Sequence, residues 1–127
     1  MKKKILIALV ILMTIVFALF LYRMYLNSDS ISYKQAVEIA EDDLRDYSKD
    51  SEHELGLDLE NVTEKDYGWV FIPNTNKYIE TRDDTESLIG QCAILVLKRD
   101  GSVHRICGSA NPLEYYLEEF ERKHLLL

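Results

Sequence analysis

The sequence predicts a single apolar helix followed by a small α+β domain, and three observations carry that prediction. Residues 5–22 form an 18-residue run whose only conventional polar member is Thr14. Residues 31–47 and 111–124 repeat apolar side chains at helical spacing. Between them lie short runs rich in Val, Ile, Tyr, Trp and Phe, separated by turn residues, which is the pattern of strands joined in hairpins. Such strands make an antiparallel sheet, and two helices can cover one face of it. A chain of 127 residues has room for one domain of this kind, but not for a two-domain enzyme or a repeat array.

The apolar run comes first. Lys2, Lys3 and Lys4 precede Ile5–Tyr22, and Arg23 follows. At helical rise, 18 residues span about 27 Å, close to the thickness of a bilayer's hydrocarbon core. A cleaved signal peptide has a shorter apolar core, about 7–15 residues, and ends at small residues. Here the run closes on Phe20-Leu21-Tyr22-Arg23-Met24-Tyr25, which is bulky, and no Cys stands directly after it for lipid attachment. Residues 1–26 are therefore expected to be an uncleaved transmembrane signal anchor, contacting the lipid bilayer through residues 5–22. Tyr22 and Tyr25 suit the interfacial aromatic belt. The three lysines ahead of the span place the N-terminus in the cytoplasm and the following domain outside it.

Charge divides the chain in the same place. All 22 acidic side chains lie after residue 28. Four of the 15 basic side chains lie before residue 24, so residues 24–127 carry 11 basic and 22 acidic groups, a net of −11. Nucleic-acid binding needs clustered Lys and Arg to displace counterions, and this balance argues against it. It fits a basic protein partner, or solubility alone.

Asn27-Ser28-Asp29-Ser30 reads as a linker, and the domain is expected over residues 31–124. Ser32 is a helix N-cap, with Gln35 three residues later completing a capping box and Ile31 stapling to Ala36. Ala36, Val37, Ala40, Leu44 and Tyr47 form one apolar face of that helix, which is expected to end near Tyr47 or Ser48. Leu57, Leu59 and Val62 suggest a first strand, and Tyr67–Ile72 a stronger one. Pro73–Asn76 reads as a turn and Lys77–Thr81 as the returning strand of a hairpin. Arg82–Gln91 is expected to be a loop with a helical turn near Glu86–Ile89. Cys92–Lys98 and Ser102–Cys107 are two strands joined at Asp100-Gly101. Asn111 is expected to cap a last helix, with Pro112 at its first position, Glu114 completing a capping box, and Leu113, Tyr116, Leu117 and Phe120 on one face.

Chemistry is thinly represented. A four-residue loop at Lys98–Gly101 places Cys92 opposite Cys107; a three-residue loop with a bulge puts them on opposite faces. A disulfide and a pair of buried thiols are thus both open. His53, His104 and His124 have no metal-ligand spacing, so no metal is expected. A Cys–His nucleophile lacks an orienting third group. No phosphate loop, serine-nucleophile elbow or paired-histidine helix is present in the sequence, and no cofactor or catalytic residue is expected. Tyr67, Trp69 and Phe71 alternate and are expected to share one strand face, with Tyr78 beside them on the next strand. They read as core, or as aromatic anchors for a protein partner, since Trp and Tyr are favoured hot spots. Tyr67, Trp69, Tyr78 and Glu80 are the candidate partner contacts.

With these residues in view, the chain from about Ile31 to Arg122 resembles the immunity protein 35 family, the YrhB-type domain of bacterial toxin–immunity loci. The resemblance is carried by Ile31-Ser32-Tyr33-Lys34-Gln35-Ala36, Asp66-Tyr67-Gly68-Trp69-Val70-Phe71 and Lys77-Tyr78-Ile79-Glu80-Thr81. Further along, Leu88-Ile89-Gly90, Asp100-Gly101-Ser102-Val103, Gly108-Ser109-Ala110 and Pro112-Leu113-Glu114-Tyr115-Tyr116-Leu117 continue it in order. It implies a small α+β protein, encoded beside a secreted toxin, that binds and blocks the toxin without chemistry of its own. The membrane anchor departs from the family's usual soluble form. The expected function is a membrane-anchored immunity protein whose partner is a cognate toxin. The alternative is an extracytoplasmic peptidase-inhibitor or sensory module, since the opening helix also resembles that of PepSY domains.

Overall fold

A computed structural model describes residues 1–28 and 30–125. The chain divides into two units, Met1–Ser30 and Ile31–Leu127. The first is one helix, α1 (Lys2–Ser28). Its stretch Lys2–Tyr25 is long and apolar enough to cross a membrane. Thr14 adds no unmet polar group, because its hydroxyl donates to the Val10 carbonyl one turn back, at 2.5 Å. The stretch expected as a linker is helical as far as Ser28, and Asp29 lies outside the described residues.

The second unit is α+β. In chain order it contains α2 (Tyr33–Tyr47), β1 (Leu55–Leu57), β2 (Thr63–Lys65), β3 (Gly68–Phe71), β4 (Pro73–Thr75), α3 (Asn76–Thr81), β5 (Ala93–Leu97), β6 (Val103–Ile106) and α4 (Leu113–His124). Strands β2-β3-β5-β6 form a four-stranded antiparallel sheet in that order, and β1 pairs with β4 in a separate two-stranded ribbon. The α2 capping box forms: Gln35 N–H donates to Ser32 Oγ at 3.2 Å, and Ser32 N–H donates to Gln35 Oε1 at 2.9 Å.

Helices α2 and α4 lie on opposite faces of the large sheet, which corrects the expectation that both cover one face. Ala36, Ala40 and Leu44 of α2 pack on Trp69, Phe71, Ile94 and Val96. Leu117 and Phe120 of α4 pack on Val70, Leu95, Leu97 and Ile106. The reason lies in β3 and β5, which are buried at every position. A strand apolar on both sides needs cover on both sides.

Four further expectations are corrected. Lys77–Thr81 is not a strand, because Thr75 caps a helix there: Tyr78 N–H donates to Thr75 Oγ1 at 3.0 Å. Local capping outweighs the β preference of Tyr, Ile and Thr at positions 78, 79 and 81. Pro73–Thr75, read as a turn, is β4, and it returns to Leu55–Leu57 rather than to its immediate neighbour. Leu57, Leu59 and Val62 do not share a strand: Leu57 ends β1, Leu59 opens a tight turn at Leu59–Asn61, and Val62 stands between that turn and β2. Finally, α4 begins at Leu113 without a side-chain cap. Glu114 instead pairs with Lys65 of β2.

Candidate interaction surface

The four candidate contacts are not brought onto one surface. Trp69 is a core residue, edge-on to Tyr33 at 5.8 Å, with the Lys98 ammonium 4.9 Å above its ring. Tyr67 precedes β3 and turns to the other side of the sheet, so it does not share a face with Trp69 and Phe71. Its hydroxyl donates to Glu121 Oε1 at 2.8 Å and its ring lies 6.4 Å from that of Phe120. Burial, then the Glu121 carboxylate, push the Tyr67 phenol well above its ordinary value, so it is a fixed donor. Tyr78 and Glu80 stand on α3, the first half-buried beneath the Arg82 guanidinium and the second exposed.

The polar chemistry concentrates around α3. Asp58, Asn74 and Thr75 are buried there. Arg82 Nη1 and Nη2 donate to Asp58 Oδ2 and Oδ1 at 2.6 and 2.8 Å, and Nη2 also reaches Glu60 at 2.8 Å. These bonds, led by the Arg82 contact, lower the Asp58 carboxyl to about 2. Asn74 bonds two consecutive residues of the following loop: its Oδ1 accepts from Leu88 N–H at 2.9 Å, and its Nδ2 donates to Ser87 Oγ at 3.1 Å. Thr75 Oγ1 donates to the Glu86 carbonyl at 2.7 Å. The segment Arg82–Gln91 is therefore built onto the ribbon, with a single tight turn at Asp84–Glu86 rather than at Glu86–Ile89.

Reading the sequence misses this network. Asp58 and Arg82 are 24 residues apart, and no local pattern joins them. Thr75 three residues ahead of Tyr78 is a legible capping signal. Ile89 followed by Gly90 is a legible apolar tip in a polar loop.

Cys92 and Cys107 are directly opposite, in step with the Ala93↔Ile106 and Val96↔Val103 pairs, and they form a disulfide. Neither is then a free thiol. His104 faces α4, 4.9 Å from the Phe120 ring and 5.9 Å from that of His124. Among the described residues, no three His, Cys, Asp or Glu side chains are grouped to hold a metal ion.

These features define an acidic α+β domain whose buried Asp58, Asn74 and Thr75 side chains are bonded within the fold. The family model described as "Immunity protein 35" matches residues 34–122, and the chain belongs to that family. It is also similar to the "Uncharacterized protein YrhB" of Escherichia coli (strain K12), 36% identical over 56 residues, 44% of this chain. The match spans 58% of that relative's length. No solved structure matches the chain.

Proposed function

We propose that this protein is a membrane-anchored immunity protein that binds a toxin and blocks it by occlusion. The family match across residues 34–122 carries the proposal. The acidity of residues 24–127 supports it, because an acidic surface steers a basic partner and rejects like-charged ones. The reading includes no catalytic step.

The proposed topology is a single pass with the N-terminus in the cytoplasm and the acidic domain outside. It is supported by α1, by the three lysines ahead of the apolar run and by the disulfide, a bond that persists in oxidising compartments. An anchored domain on that side meets a toxin as it arrives at the envelope.

The test is affinity capture from native membranes, with the tagged full-length chain in mild detergent as bait and mass spectrometry to identify what it holds. A single stoichiometric partner that kills cells when expressed alone is the expected result. Recovery of an envelope peptidase inhibited by the chain would replace this proposal with the inhibitor reading.

A further inference from the structure

Among the described residues of the Ile31–Leu127 unit, Ile89 is the most exposed large apolar side chain, at 94%, against 48% for Leu59. Leaving such a group in water forgoes the free energy gained by burying it. It stands on a bend with Gly90, whose φ of +88° favours glycine. A Cβ added at Gly90 would meet nothing within 4 Å, so the glycine serves the backbone turn and not close packing.

The loop is held on both sides of this tip. Asn74, itself buried, fixes Ser87 and Leu88 on the near side. On the far side, Cys92 is tied to Cys107. A tip clamped in this way is already ordered before binding, which lowers the entropy cost of association.

The surroundings specify the partner's charge. Asp83 and Asp84 are exposed just before the loop. Glu54 and Glu86 help line an adjoining cleft of about 260 Å³, together with Ser87 and Leu88. The nearby cations are committed: Arg82 to Asp58 and Glu60, and Lys77, on the same cleft, to Glu86 at 2.9 Å. A second copy of the chain would bring carboxylates against carboxylates, whereas a basic surface would be attracted.

We infer that the Ser87–Gln91 loop is the point at which this protein engages its toxin, with Ile89 entering an apolar pocket whose rim carries Lys and Arg. The inference rests on the immunity reading. Its test uses the full-length chain in detergent and, as probe, the toxin domain encoded beside its gene, purified in an inactive form. Ile89→Asp is expected to weaken binding by about 30-fold or more, the size of a hot-spot loss, while Ile89→Val and Tyr115→Ala stay within about threefold. The thermal melts of the two Ile89 variants are expected to match wild type, because Ile89 is exposed. Wild-type binding with Ile89→Asp within threefold of it would overturn the loop assignment and leave the immunity reading intact. A wild-type chain that does not bind the toxin would overturn both. Self-association of the wild type that disappears in Ile89→Asp would assign the loop to a dimer contact and overturn the inference.

Discussion

Arg82 holds a left-handed backbone conformation, φ +56°, that side chains of its size rarely adopt. It caps α3 at this position, where its N–H donates to the Tyr78 carbonyl at 2.7 Å. The ion pair with Asp58 offsets the strain, and Asp58 in turn is almost wholly buried. Asp58→Asn should therefore cost about 2 kcal/mol at pH 7, from the lowering of its carboxyl from 3.8 to about 2. Because the folded-state value is the lower one, this stability is fully present above pH ~4 and fades as pH falls through about 2. Thermal melts of the two proteins should then differ at neutral pH and converge near pH 2; a gap that persists in acid would assign the loss to packing. Tyr67→Phe removes a donor from the Glu121 carboxylate and should cost about 1–2 kcal/mol, measured by denaturant unfolding. Neither pairing was legible from the sequence. Partners 24 and 54 residues apart meet only because the fold brings them together.

At the scale of elements, legibility followed locality. The α2 capping box was readable because all its parts lie within four residues. The β5–β6 hairpin was readable from Asp100-Gly101, where Gly101 takes φ +71°. The register of that hairpin was not, because two loop lengths fit the same residues; the structure has the one that places Cys92 opposite Cys107. The α3 region misled because Tyr78, Ile79 and Thr81 are strand formers, while the deciding signal was one threonine cap. The paired faces of the sheet were written in β5, whose unbroken apolar run marks burial on both sides. The disulfide closes a loop of sequence separation 15, so Cys92→Ser with Cys107→Ser should cost about 3 kcal/mol by the loop-entropy relation. Chemical unfolding of the double variant beside wild type measures it. An unchanged midpoint would show that the hairpin and its helices fix this region without the bond.

At the scale of the whole molecule, the chain joins an apolar helix to a domain of opposite character. Four of the 15 basic residues flank the apolar run, and every acid lies beyond it. The family, by contrast, was legible only from seven short stretches taken in order, and it spans nearly all of the second unit. The proposed topology makes a direct prediction: protein taken from cells under thiol-blocking conditions should contain no free thiol, since both cysteines are bonded. Two blocked thiols would put the domain in the cytoplasm. The proposed surface makes another: association with the toxin should slow steeply as salt rises, because screening removes the steering of a domain with a net of −11. The most direct measurement is survival under challenge by the toxin that affinity capture with the full-length chain recovers. Cells lacking the protein should die where wild-type cells grow, and the full-length chain supplied in trans should restore growth. Deletion cells that survive as well as wild type would contradict the account.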